Sequence, residues 1–211
     1  MPKSPSTVSK AKPAGRRAAA KARTREKLLL SAKRLFMNHG YDGATMRDIA
    51  NDAGLSTGAV FASFSDKAEL FNDVLLADGD AQIDAMRAAA AEAGDVRDRL
   101  VRVLAVGYHF QLNQIQLLRA ALAVSWSQGL AGELGDRPIR KGATDTIRGL
   151  LAQAMAEGQI AAGYDLGLIT ETIWDCFVGN YRYAMFNGQG VERLTERMRR
   201  QVDLIVGGAA T

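Results

Sequence analysis

The chain has 211 residues, 47% of them hydrophobic, and a net charge of +4. This length suits one domain or two small ones with a buried core. No apolar run approaches the ~18 residues of a membrane span, and the basic N-terminus lacks the apolar stretch of a secretory signal. With Cys176 as the single cysteine, no intramolecular disulfide can form, and we expect a cytoplasmic protein without membrane contact.

Positive charge is concentrated at the N-terminus. Residues 1–25 contain eight basic and no acidic side chains, which leaves a net charge of −4 for the rest of the chain. Three prolines and Gly15 predict that residues 1–22 are disordered. Such a tail is either a solvated leader or a flexible arm that contacts DNA phosphates or the minor groove.

Several short helices follow the tail. From Arg23, apolar residues recur on one helical face until Gly40, the expected left-handed cap of the first helix. Thr45 begins a second helix with a capping-box pattern, and Ser56 caps a third. A fourth helix, starting at Asp66, is predicted to continue to about residue 93.

The remaining segments also have helical patterns. We predict helices over 96–113, 114–128, 138–157, 165–187 and 191–206, with a glycine-rich loop at 129–138. No segment is typical of a strand, so the predicted fold is all-α with about nine helices. The predicted organisation is a tail at 1–22, a DNA-binding domain at 23–76 and a regulatory domain at 77–211.

The segment "TMRDIANDAGLSTGAVFASFSDKAEL" contains two helices that are too short to be stable alone. They therefore require the helix at 23–39 to cover their apolar faces. A capped short helix with small polar residues at its N-terminal end suits the DNA major groove. These features favour a helix-turn-helix, although an ordinary three-helix packing unit remains the alternative.

The longer stretch "LLLSAKRLFMNHGYDGATMRDIANDAGLSTGAVFASFSDKAELF" resembles the N-terminal domain of the tetracycline-repressor (TetR/AcrR) family. The similarity extends over about residues 23–76. It implies an N-terminal helix-turn-helix followed by a helical domain for ligand binding and dimerisation. The family pattern implies that the following residues contact double-stranded DNA: Thr45, Arg47, Ser56, Thr57, Gly58, Ala59, Phe61, Ser63 and Lys67.

Within this set, the resemblance implies different roles. Thr45 and Lys67 are expected on phosphates, and Thr57 is expected near base edges. Two positions depart from the family pattern, which commonly has tyrosine at Phe61 and tyrosine or histidine at Ser63. Two typical polar contacts are therefore weakened or replaced.

For the regulatory domain, the resemblance implies a homodimer and a small apolar ligand whose identity the sequence does not reveal. The apolar stripes near the chain end are expected to be half core and half dimer interface. Candidate interface residues are Ile173, Tyr181, Leu194, Met198 and Val202. Candidate ligand-binding residues, for which core packing is the alternative, are Phe110, Trp126, Met155, Trp174 and Phe177.

The leading functional hypothesis is a repressor that binds a palindromic operator as a homodimer and is released by its ligand. The alternative is a dimeric DNA-binding regulator controlled by a protein partner, with no small-molecule ligand. An enzyme is poorly supported, because no phosphate-binding loop, HExxH or CxxC motif occurs. We therefore expect no catalytic residues, no metal and no cofactor.

Overall fold

The computed structural model describes residues 13–127 and 138–208, without the side chains of 13, 14 and 122–127. The chain divides into two compact units, Met1–Val74 and Leu75–Thr211. This division falls two residues before the domain boundary predicted from the sequence. Most of the predicted loop at 129–138 and the first twelve residues of the predicted tail lie outside the described residues.

Every regular element of the described residues is a helix, which confirms the all-α prediction. The helices are α1 (Pro13–Gly43), α2 (Met46–Asp52), α3 (Thr57–Phe61), α4 (Lys67–Leu76), α5 (Gly79–Ala91), α6 (Val96–Leu112), α7 (Ile115–Ser127), α8 (Pro138–Ala156), α9 (Leu166–Asn187) and α10 (Val191–Gly207).

Helix α1 begins at Pro13, ten residues earlier than predicted, so the expectation of disorder is wrong for residues 13–22. Proline is well tolerated in a first helical turn, and the alanines, arginines and lysines that follow it are strong helix formers. Because residues 28–36 are already held by packing, these exposed turns extend an existing helix and avoid the cost of nucleation.

Gly40 interrupts α1 with a backbone conformation of φ 72° and ψ 175°. The positive φ agrees with the predicted glycine cap, but ψ is extended rather than left-handed helical. Only glycine adopts this region readily, and the chain then makes a further turn to Gly43. The kink redirects the chain toward Thr45, where α2 is capped.

The first unit has one core shared by α1 to α4. Ile49 of α2 and Val60 of α3 are fully buried there, and each contributes ~1.5–3 kcal/mol by burial. This packing explains why such short helices persist. The buried apolar residues are Leu28, Ala32, Phe36, Ala44, Ile49, Ala50, Val60, Phe64, Leu70, Phe71 and Val74.

The long fourth helix predicted from the sequence is two helices. Residues 77 and 78 form a turn between α4 and α5, and α5 starts at Gly79. A Cβ at Gly79 would lie 2.8 Å from Cγ1 of Ile139, so the glycine permits close packing against α8. Helical periodicity alone did not reveal this break, because apolar residues continue through it.

The residues predicted to line a dimer interface are core residues of the single chain. Their exposed fractions range from 0% to 3% for Ile173, Tyr181, Leu194, Met198 and Val202. The prediction is therefore wrong for these side chains, which would have to leave the core to meet a partner. These faces turn inward because α6 packs against α10 and its Tyr108 ring lies against Phe177 and Tyr181 of α9.

Candidate functional site

Helix α2 begins with a complete capping box. The Thr45 hydroxyl oxygen accepts a hydrogen bond from the Asp48 amide at 3.1 Å, and the Asp48 carboxylate accepts one from the Thr45 amide at 3.2 Å. The Thr45 hydroxyl also donates to this carboxylate at 2.6 Å. These hydrogen bonds lower the pKa of Asp48 below its usual value. Thr45 is exposed at this helix start, but its amide and hydroxyl, which the resemblance assigned to a phosphate, both donate to the Asp48 carboxylate in this structure.

Helix α3 has only five residues, and its position is fixed by the turn before it. Gly54, at φ 67°, lets the chain reverse direction, and the Leu55 amide donates to Ala50 at 2.9 Å. The Ser56 hydroxyl oxygen then caps α3 by accepting from the Ala59 amide at 3.3 Å. The predicted caps of α2 and α3 are therefore both confirmed.

The two sides of α3 differ in exposure. Val60 is fully buried, whereas Thr57 and Gly58 are exposed and Phe61 is 54% exposed. A Cβ built on Gly58 meets only the Ser56 hydroxyl oxygen, at 3.9 Å, so packing within the chain does not require glycine there. The first turn of α3 thus offers a small polar surface of the kind that enters a major groove.

The other residues predicted to contact DNA differ in how exposed they are. Arg47 is exposed on α2 and Ala59 is half-buried on α3. The Ser63 hydroxyl donates a hydrogen bond to the Ala59 carbonyl at 3.0 Å, so its proton is already engaged in a contact within the chain. Ser63 is also half-buried, whereas Ser56, Thr57 and Gly58 are exposed.

Lys67 has contacts that its predicted role does not include. Its ammonium group donates to the carbonyls of Tyr41 and Ala44 at 3.0 and 3.3 Å and lies 4.3 Å from the centre of the Tyr41 ring. These bonds join the start of α4 to the end of α1. Two of the three ammonium donors are thus used inside the unit, which gives Lys67 a structural role beside any contact with phosphate.

Arg25 is an important residue that the sequence reasoning missed. Its guanidinium donates to the Ser63 carbonyl at 2.6 Å, pairs with Asp73 of α4, and lies 4.1 Å from the centre of the Phe64 ring. In the sequence, Arg25 is one of eight basic residues in the first 25 positions. No local pattern distinguished it, because its partners are 38 and 48 residues away.

In the second unit, two of the candidate ligand residues lie together. Trp174 and Phe177 have ring centres 5.4 Å apart, and Phe177 stacks on Tyr108 at 4.6 Å. A Cβ on Gly107 would lie 2.7 Å from Phe177, so the glycine makes room for this ring. Phe110 and Met155 are half-buried, and the side chain of Trp126 lies outside the described residues.

A polar network lies beside this aromatic cluster. Asn180 donates to the Tyr108 hydroxyl at 3.0 Å and to Gln201 at 2.7 Å, and it accepts from Arg197 at 3.0 Å. The hydroxyl of Tyr181 is buried with no hydrogen-bond partner among the described residues. Burial raises the pKa of both tyrosines, so both stay neutral.

A separate groove of about 160 Å³ lies between α8 and α9. Its lining is polar and charged, with two arginines, two acids and two threonines, and it includes none of the candidate ligand residues. Among the described residues, no group of three or more histidine, cysteine or acidic side chains is placed to hold a metal ion. Nor is any described helix both long and apolar enough to cross a membrane.

The first unit has the architecture of a helix-turn-helix DNA-binding protein: two short capped helices on a supporting helix, with the second exposed at its N-terminal end. Residues 28–74 match the family model for bacterial regulatory proteins of the tetR family. The family match over residues 28–74, together with the relatives below, supports a transcriptional regulator of the TetR/AcrR type.

Curated relatives support this assignment. The HTH-type transcriptional repressor AcnR of Corynebacterium diphtheriae is 49% identical over 47 residues, which cover 22% of this chain and 25% of that protein. The match thus spans about a quarter of that relative's length. The probable acrEF/envCD operon repressor of Escherichia coli K12 is 26% identical over 184 residues, which cover 81% of this chain and 80% of that protein.

Solved structures show that the fold is shared along most of the chain. A regulator of Mesorhizobium loti, provisionally assigned to the TetR family, has a TM-score of 0.73 at 20% identity and covers 90% of this chain and 98% of its own. FadR of Bacillus subtilis, solved with stearoyl-CoA, has a TM-score of 0.68 at 18% identity. The match covers 87% of this chain and 98% of the FadR chain.

Proposed function

We propose that this chain is a ligand-responsive transcriptional repressor that binds a palindromic operator as a homodimer. The observation that carries the proposal is the exposed first turn of α3, held by caps and by a buried Val60. In the proposed complex, Thr57 and Gly58 at the exposed first turn of this helix contact base edges. Arg47 then reaches a base or a phosphate at the groove edge, and Thr45 contacts a phosphate. As a regulator of chromosomal genes, the protein would act in the cytoplasm.

The homodimer is proposed through exposed positions of α9 and α10 rather than through the core residues expected from the sequence. Leu168, Phe186 and Leu204 are 63%, 84% and 79% exposed. Burying such side chains against a second copy contributes ~1.5–3 kcal/mol each. A two-fold symmetric dimer would also present two α3 helices to a palindrome.

A small apolar ligand is proposed in the second unit. Two observations support it: the cluster around Trp174 and Phe177, and the buried Tyr181 hydroxyl, which costs ~1–3 kcal/mol when left without a partner. FadR of Bacillus subtilis, which shares the fold, was solved with stearoyl-CoA, a ligand with a long apolar chain. The alternative is control by a protein partner without a small ligand.

The test of DNA binding uses the DNA that flanks the gene, searched for an inverted repeat. We expect the purified protein to bind this repeat more tightly than a scrambled sequence of equal length. Arg47→Ala and Thr57→Ala should each cost ~1–3 kcal/mol and change the preferred sequence, because base contacts specify. Equal binding to repeat and scrambled DNA would contradict the proposal.

The test of ligand control uses thermal unfolding with a panel of apolar compounds, including acyl-CoA thioesters. A ligand that binds only the folded state raises the melting temperature, by a free energy of ~2.7 kcal/mol at a hundred times its Kd. The same compound should release the operator. If no compound shifts the melting temperature while a protein partner releases the DNA, the alternative is favoured.

A further inference from the structure

Arg25 connects three segments of the first unit. It extends from α1 to the Ser63 carbonyl, just beyond α3, to the ring of Phe64, and to Asp73 of α4. Its side chain is 36% exposed and that of Asp73 is 31% exposed, so the pair is partly shielded from solvent. One guanidinium therefore holds the end of the reading helix between two longer helices.

Such a contact matters because α3 is so short. A helix leaves its last carbonyls without intrahelical partners, and five residues provide few bonds to resist fraying. Ser56 satisfies an amide at the start of α3, and Arg25 satisfies the carbonyl of Ser63 beyond its end. The hydrogen bond from a charged donor is of the stronger kind.

The charge of Arg25 is not free for DNA. Asp73 neutralises it at close range, and two of its nitrogens are used in contacts within the unit. Arg25 thus differs from the exposed basic residues of the same helix, such as Arg16 and Arg23. A residue of this type affects DNA binding through the geometry of α3 rather than through a phosphate.

We infer that Arg25 is a positioning residue for DNA reading: with Asp73 it fixes the end of α3 against α1 and α4 and so sets how α3 enters the groove. The inference rests on the proposed function, since it assumes that α3 reads DNA. The Arg25–Asp73 pair thus affects the affinity for DNA through the position of α3, an effect that neither charge would have by itself.

A pair of opposite charge changes tests this directly in the full chain. Arg25→Gln removes a positive charge, whereas Asp73→Ala removes a negative charge and keeps a good helix former in α4. By charge alone, Asp73→Ala should strengthen binding to a polyanion. If the pair instead positions α3, both variants should weaken operator binding, each by about tenfold. The reason is that each variant loses a partly screened, charge-assisted contact in both subunits.

The salt dependence separates positioning from a direct phosphate contact. Removal of a phosphate contact flattens the plot of log K against log salt by about 0.9 per contact. We expect Arg25→Gln and Asp73→Ala to keep the wild-type slope. Arg25→Lys, which keeps the charge and one donor group, should recover part of the affinity.

Hydrogen exchange of the full chain supplies a readout that does not depend on DNA. In Arg25→Gln, amides of residues 57–65 should exchange about tenfold faster, because the end of α3 opens locally. The control is Arg34→Gln, which makes the same charge change on α1 but breaks a pair with Asp52 of α2. The control should leave exchange at 57–65 unchanged.

The possible outcomes are distinct. Stronger binding by Asp73→Ala, or a flattened salt slope in Arg25→Gln, overturns the positioning role. Faster exchange throughout the first unit in Arg25→Gln also overturns it, because the residue would then serve general stability. A wild type without operator binding overturns the proposed function itself, whereas a wild type that binds and an Arg25→Gln variant that binds equally overturn only this inference.

Discussion

Gly58→Ala separates the stability of the reading helix from its function. The added Cβ meets nothing within the chain closer than the Ser56 hydroxyl oxygen at 3.9 Å, which is an ordinary contact. Gly58 is not among the residues with positive φ, so alanine fits its backbone. Replacing an exposed helical glycine by alanine stabilises a helix by up to ~1 kcal/mol. The fold should therefore become slightly more stable.

DNA binding should change in the opposite direction. If α3 approaches the bases as proposed, a methyl group at Gly58 holds its backbone away from them. We expect operator affinity to fall at least about tenfold, which corresponds to ~1.4 kcal/mol. Loss of binding in a more stable protein cannot be attributed to unfolding.

The assay combines operator titration with unfolding followed by circular dichroism. Fluorescence would miss the stability change, because both tryptophans, Trp126 and Trp174, lie in the second unit. The control is Gly149→Ala, at an exposed position of α8 where an added Cβ meets nothing within 4 Å. Wild-type affinity in Gly58→Ala would refute a close approach of α3 to DNA.

Three further predictions concern the core, the caps and the tail. Leu194→Ala should lower the free energy of unfolding by ~2–5 kcal/mol, whereas Leu204→Ala should weaken only self-association, as measured by urea unfolding and sedimentation; equal effects would contradict the assignment of core and surface. The pKa of Asp48 is lower in the folded state than its usual value of 3.8, so the Asp48 carboxylate stabilises the fold above pH 3.8 and this stabilisation is lost as the pH falls through the folded-state pKa. Asp48→Asn should therefore make unfolding less sensitive to acid, as measured by unfolding at several pH values. Deleting residues 1–22 should weaken operator binding and flatten the salt slope by about 0.9 per lost phosphate contact, and an unchanged slope would show that the tail does not contact DNA.

The features that the sequence predicted well are local. The Thr45 cap and the Ser56 cap are confirmed because each depends on residues three positions apart, within one turn. The exposure of Thr57 and burial of Val60 follow from the helical period of α3 in the same way. Close spacing in the chain made these contacts readable without the fold.

The features that the sequence missed depend on distant partners. Leu194 and Met198 lie on an apolar stripe, and a stripe alone does not say whether its own chain or a second copy covers it. Arg25 was counted with the basic tail because Ser63 and Asp73 are far along the chain. Helix α1 starts earlier than predicted because the helix formers after Pro13 outweigh Gly15 once the helix is anchored by packing further along the chain.

The most direct test of the account is selection of DNA from a random pool by the full-length protein, with Thr57→Ala in parallel. Phosphate contacts alone bind all sequences alike, whereas base contacts enrich particular ones. The account predicts that the wild type enriches an inverted repeat and that Thr57→Ala enriches it less or enriches an altered repeat. A wild-type pool that remains random after selection, from protein that is folded by circular dichroism, would contradict the claim that α3 reads DNA.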